Sequence, residues 1–132
     1  MRKLKEGRKF SLKSDPRKAL QKTWVNSLFT KERMQTIQAK AKEFRRFAEH
    51  YITIAKKGDL ASYRQLSRFL PAKTVKKLII EIAPRFKTRK GGYTRLINLG
   101  PRKSDGSKMV IIELTERVDK KKVVKKETKK KS

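Results

Sequence analysis

Six apolar residues, Ile37, Ala41, Phe44, Ala48, Tyr51 and Ala55, recur four and three positions apart in the middle of this chain. That spacing gathers them into one narrow stripe on a helix and onto no common face of a strand. Lys40, Lys42, Arg45 and Arg46 fall elsewhere on the same cylinder. Thr36 is the expected cap of this helix. Gly58, able to take left-handed backbone, is its expected end, with Lys56 and Lys57 suiting the negative pole of the helix dipole. A helix with one apolar face needs a second layer to cover it, and the rest of the chain must supply that layer.

Upstream, Ser14-Asp15-Pro16 marks a helix start, because Asp15 can accept from an unpaired amide and Pro16 has no amide to leave unsatisfied. Leu20, Trp24 and Leu28 follow at four-residue spacing, so a helix is expected from about Pro16 to Phe29, with Trp24 as a core anchor. Residues 31–36 form a weak strand candidate. Downstream, Asp59 is the expected cap of a short helix with Leu60, Tyr63, Leu66 and Leu70 inward and Pro71 just beyond it. Val75, Leu78, Ile79 and Ile82 define a fourth helix, expected to stop before Pro84.

After Gly91-Gly92 the period changes. Tyr93 to Leu99 and Met109 to Leu114 read as strands, joined by a loop of about eight residues containing Gly100-Pro101 and Asp105-Gly106. Helices first and strands last indicate an α+β domain. About four helices should pack on one face of a small sheet, which becomes three-stranded if the 31–36 segment joins it.

Charge decides what such a domain is for. The chain has 132 residues, 39 Lys and Arg against 12 Asp and Glu, and a formal net charge of +27. Residues 1–20 carry Arg2, Lys3, Lys5, Arg8, Lys9, Lys13, Arg17 and Lys18 for a net +6, and residues 120–132 a net +7. The remaining 99 residues still hold +14, so the folding part is itself strongly basic. The expected organisation is a basic arm over 1–14 suited to binding phosphates, a domain over 15–117 and a Lys-rich tail over 118–132. Charge at this density repels itself in a compact state and fits a polyanion with a closely spaced phosphate backbone.

Other classes lack residues. There is no cysteine, which excludes disulfides and thiolate metal sites, and a single histidine, His50, is too few for the usual zinc sets. No apolar run approaches the ~20 residues of a membrane span, and the N-terminus has no apolar signal stretch. The acids are scattered: Glu43 and Glu49 lie among cations, and Glu81, Glu113 and Glu116 show no ligand spacing. No catalytic constellation is visible.

The most unusual local run is Arg85-Phe86-Lys87-Thr88-Arg89-Lys90-Gly91-Gly92, with four cations in six positions before paired glycines. Glycines let backbone approach a phosphate closely and offer amide donors. Phe86 and Tyr93 flank the run, where they can stack on splayed bases; a plain solvated turn fits the pattern equally.

Several motifs occur in one order: Ile82-Ala83-Pro84-Arg85-Phe86, Gly91-Gly92-Tyr93-Thr94-Arg95, Leu99-Gly100-Pro101-Arg102 and Ile111-Ile112-Glu113-Leu114. With Gly7-Arg8-Lys9, Arg17-Lys18-Ala19-Leu20, Ala39-Lys40-Ala41-Lys42-Glu43 and Ile52-Thr53-Ile54-Ala55-Lys56-Lys57-Gly58, the chain resembles the bacterial large-subunit ribosomal protein 17 family over about residues 1–115. The resemblance implies a three-stranded α+β fold and a non-enzymatic cytoplasmic ribosome component without cofactor, membrane or small-molecule substrate. It also implies that the partners are large-subunit ribosomal RNA and neighbouring large-subunit proteins. Expected RNA contacts are the eight cations of residues 1–20, then Arg85, Lys87, Arg89, Lys90, Gly91, Gly92, Arg95, Arg102 and Lys103. A nucleoid-type DNA-compacting protein is the competing reading from composition alone.

Overall fold

Helix α2 (Gln38–Ala55) touches every layer of the molecule, and its apolar stripe explains why. Ala41, Phe44, Ala48, Tyr51 and Ala55 are all buried, joined by Ile52 and Ile54. The computed structural model describes residues 7–116. Around α2 lie α1 (Ser14–Lys31), the strand β1 (Arg33–Ile37) and α3 (Leu60–Ser67). A fourth helical stretch comprises α4 (Ala72–Lys77), a π-helical turn (Leu78–Ile82) and α5 (Ala83–Arg85). The chain closes with β2 (Thr94–Pro101) and β3 (Lys108–Leu114). The sheet is antiparallel in the order β1-β3-β2, so the last strand is central and the segment near Gln35 supplies the third strand.

Register gives the sheet two different faces. Met34 lies opposite Ile112 and Ile112 opposite Leu96, while Thr94 faces Leu114. These alternate positions of β3, with Val110, are fully buried against the helices. On the other face Arg33 and Arg95 both lie opposite Glu113. Arg95 Nε donates to one Glu113 oxygen and Arg33 Nε stands 3.6 Å from the other. This cross-strand triad ties all three strands through one carboxylate. Leu99 forms a bulge between the Asn98 and Gly100 pairings.

Four local expectations need correction. Asp15 is not a cap: α1 starts at Ser14, leaving Asp15 inside the first turn, where its charge meets the positive end of the dipole. Thr36 does not cap α2, because the chain passes straight from strand to helix and Thr36 is paired with Val110. Leu60 is 64% exposed. Six residues before Leu66, it is turned by about 240° around the helix, onto the opposite side. Asp59 does cap α3, accepting from the Ser62 amide at 2.9 Å.

Pro84 does not end the fourth helix, which continues to Arg85. A proline ring normally collides with the carbonyl four residues back. Here the turn before it widens to π geometry, and the proline then stands in the first turn of α5, where a missing amide costs little.

The junction between α1 and β1 is built on Glu32. It adopts left-handed backbone with φ 60°, unusual for a residue with a side chain. Its amide donates to Leu28 O at 2.7 Å and its carbonyl accepts from the Leu114 amide at 3.1 Å. The carboxylate receives a forked bond from Arg85, 2.7 and 3.3 Å, and Lys77 at 3.2 Å. Burial pushes its pKa up, but the hydrogen bonds and charges of Arg85 and Lys77 outweigh this and hold it below the ordinary 4.5.

A folded pKa below the unfolded one gives stability that is complete above the unfolded value and fades as pH falls through the folded value. Urea unfolding should therefore show the midpoint dropping below about pH 4.5 as Glu32 protonates. Glu32→Gln should cost roughly 1–3 kcal/mol at pH 7 and flatten that part of the acid dependence.

Candidate nucleic-acid interface

Cations approach the surface from three structural sources, and the fold treats each differently. The first is the segment leading into α1. Phe10 and Ser11 have φ of 52° and 55°, and the Leu12 amide donates to Lys9 O at 3.1 Å. Positive φ at both central residues makes this a type I′ turn, held by Phe10 packing 5.6 Å from Phe44, itself 5.3 Å from Trp24. Gly7 passes so close to Glu43 that a Cβ there would lie 2.9 Å from Oε1. Arg8, Lys9 and Lys13 are exposed along this path. Arg17 donates to Leu12 O at 3.4 Å, and Lys18 stands 3.9 Å from Asp15 in solvent, a weak pairing. Arg2, Lys3 and Lys5 lie outside the described residues, as does the tail over 118–132.

The second source is the glycine loop between α5 and β2. Phe86 and Tyr93 do not present their rings to bases: they are buried at 0% and 3% exposure and meet edge to face at 5.2 Å. Two aromatics bracketing a short loop bury more apolar surface against each other and the core than they could cover while exposed. They fasten both ends of the loop. Lys56 fastens its middle, its ammonium donating to Arg89 O and, at 3.2 Å, to Tyr93 Oη. Thr115 adds a bond to Gly92 O at 3.1 Å.

On this anchored loop the cations divide. Arg85 turns inward to Glu32 and also donates to Glu116 O at 3.3 Å. Arg89 stands 3.5 Å from Glu116 Oε1. Lys87 and Lys90 point to solvent and make no ion pair among the described residues. Gly91 and Gly92 have open space where a side chain would be, and Gly92 has φ +63°.

The third source is the β2–β3 hairpin. The strands run further than the sequence suggests, leaving a tight tip over 102–107. Arg102 clamps Asp105 with two parallel bonds, Nε at 2.8 Å and Nη2 at 2.6 Å. This guanidinium, helped by Ser107, holds the Asp105 carboxyl well below the usual carboxylate range. Lys103 stands exposed at the tip. Arg95 keeps 60% of its side chain exposed while one edge of its guanidinium holds Glu113.

Carboxylates are thus spent at joints. Glu49 bridges α2 to β2 by accepting from Arg45 at 3.0 Å and Thr94 at 2.8 Å, matching the work of Glu32 and Glu113 elsewhere. Sequence reading missed Lys56, Glu32 and the Arg45–Glu49–Thr94 link. Only Arg45 and Glu49, one helical turn apart, left any signal. Among the described residues no cluster of three metal-ligating side chains occurs, and no helix is long and apolar enough to cross a membrane.

A small α+β body whose acids brace the fold while Lys and Arg fill its surface has the charge distribution that suits a polyanion-binding scaffold. Comparison with known proteins narrows the class. A family model described as Ribosomal protein L17 matches residues 20–115. A protein of Pelobacter propionicus named "Large ribosomal subunit protein bL17" is 49% identical over 117 residues, covering 88% of this chain and 92% of its own. Those of the same name from Caldanaerobacter subterraneus and Geobacter sulfurreducens are 47% and 46% identical, covering 81% and 95% of this chain and 96% and 72% of their own. The chain belongs to the ribosomal protein L17 family.

Replacing Lys56→Met should release the glycine loop from α2. Amide hydrogen exchange at Arg89 to Tyr93 should accelerate, with global stability lowered by about 1 kcal/mol for the lost charge-assisted bonds.

Proposed function

We propose that this protein is a structural, non-catalytic constituent of the large ribosomal subunit, working in the cytoplasm and gripping large-subunit ribosomal RNA by phosphate and shape contacts. The observation that carries the reading is the division of charge. Among the described residues, ion pairing takes up most of the acids and a minority of the cations, on a chain of the L17 family whose relatives are named large-subunit proteins. The basic arm over 1–14 leaves the 15–117 domain along the Phe10 turn and threads between RNA helices. Arg2, Lys3, Lys5, Arg8, Lys9, Lys13, Arg17 and Lys18 neutralise phosphates there.

Lys87, Arg89 and Lys90 meet the backbone at the glycine loop, whose Gly91 and Gly92 admit a close approach. Arg95, Arg102 and Lys103 extend the contact along the hairpin. Arg95 and Arg102 arrive with one edge already fixed by a carboxylate, so less side-chain freedom is lost on binding. Arg85 acts from behind, holding the loop to Glu32. Neighbouring large-subunit proteins complete the surroundings, and the Lys-rich 118–132 tail adds neutralising charge.

With about eight phosphates engaged, log affinity for a large-subunit ribosomal RNA fragment should fall against log salt with a slope of about −6 to −7. A slope near zero, or absence of the protein from large subunits sedimented at moderate salt, would refute the reading. Recovery with chromosomal DNA instead would favour a nucleoid role. The double variant Lys87→Gln with Lys90→Gln should shrink the slope by roughly 1.4–1.8 while stability changes by less than about 0.5 kcal/mol.

A further inference from the structure

Away from the glycine loop and hairpin, α1 and the turn between α3 and α4 border an open groove of about 330 Å³. That volume is at the small end of the ~300–1,000 Å³ typical of small-ligand sites, the scale of one nucleotide and not of a duplex. No carboxylate lines it, whereas Lys22 and Arg68 do. Phe69 lines it too and is 42% exposed, the most open of the Phe, Tyr and Trp rings among the described residues. Tyr51 backs that ring at 5.8 Å with 30° between the planes, so the ring is held in place although its surface is wet.

The polar lining is arranged for a base edge. Thr74 donates its hydroxyl to the side-chain carbonyl of Asn26, a residue of the groove lining, so that bond leaves both donors of the Asn26 NH2 unused. Ser67 donates to Tyr63 O at 2.9 Å, which leaves its oxygen as an acceptor. A donor, an acceptor, an aromatic ring and two cations therefore converge on one small concavity. A nucleotide matches the cations, the flat ring and the polar edge together in one small unit, whereas an acidic peptide needs several residues to do so.

We propose that this groove captures a single unpaired nucleotide of the ribosomal RNA. Its base stacks on Phe69 and meets Asn26 and Ser67 at its edge, and its phosphates lie against Lys22 and Arg68. Lys22 now sits with its ammonium 5.7 Å from the centre of the Phe69 ring. An exposed cation–π contact of that kind is worth about 0.5–1 kcal/mol, less than the ~1–3 kcal/mol of a base on an aromatic ring. The flexible lysine accordingly yields the ring face to the base and follows the phosphate. The site rests on the RNA-binding reading and adds a stacking component that salt does not weaken.

The test measures full-length protein on a large-subunit ribosomal RNA fragment across salt concentrations. Phe69→Ala should weaken binding about 5- to 100-fold with the log–log slope unchanged, whereas Phe69→Trp should retain affinity. Lys22→Gln with Arg68→Gln should instead reduce the slope by roughly 1.4–1.8. Circular dichroism checks that each variant is folded. As a second measurement independent of variants, titrating uridine and adenosine monophosphate into the protein should shift the amide resonances of Asn26, Ser67 and Phe69. Wild-type binding that Phe69→Ala leaves untouched, with no shifts from either nucleotide, would overturn the groove while sparing the RNA reading. Failure of the wild type to bind any fragment would overturn both. A photoreactive group at position 69 that crosslinks to protein and not RNA in assembled subunits would also overturn the groove.

Discussion

The carboxylate of Glu32 sets the terms on which the rest of the fold assembles. One residue ends α1, reverses the chain through left-handed backbone, starts the β1–β3 ladder and holds the far end of the fourth helical stretch through Arg85. Glycine would take that backbone at lower cost, by roughly 1–2 kcal/mol, but would bring no charge. The side chain outweighs the strain because two cations converge on a buried oxygen pair, where the effective dielectric is below that of water. Helical layer and sheet are thereby locked at a fixed separation, and the glycine loop after α5 inherits its position from that lock.

A surplus of like charge would ordinarily loosen a body this small. Here each structural carboxylate gathers partners from more than one element: Glu113 takes Arg33 of β1 and Arg95 of β2, Glu49 takes Arg45 of α2 and Thr94 of β2, and Glu32 takes Lys77 of α4 and Arg85 of α5. The acids are few but placed where several strands or helices meet, so each one neutralises repulsion at a seam. Among the described residues, the cations outside these pairs lie mostly on the perimeter, where water screens them.

The sequence made the helices and the central strand legible because their signals are local. The stripe of α2 and the switch of period after Gly91-Gly92 need only neighbours in the chain to be read, and Asp59 and Gly58 acted as their chemistry demands. Strand β1 was faint because it is five residues long and sits at an edge, with its alternation blunted by polar Thr36 on the inner face and apolar Ile37 on the outer. Pro84 misled because the rule against proline presumes α geometry, and the preceding turn is wider. The site was legible as a set of charges but not as a set of roles. Whether Arg85 faces a phosphate or Glu32, 53 positions away, is decided by tertiary contact alone. The same holds for Phe86 and Tyr93, whose partner is each other.

The β2 edge has one more consequence, for the life of the molecule before it joins a particle. An outermost strand with unpaired amides and carbonyls invites a second copy to add itself, and Ile97 and Leu99 would reward the association. The kink at Leu99 and the missing amide of Pro101 interrupt that template midway, so neighbouring copies find no continuous row to zip onto. The hairpin that carries Arg102 and Lys103 thus carries its own break against edge-to-edge pairing.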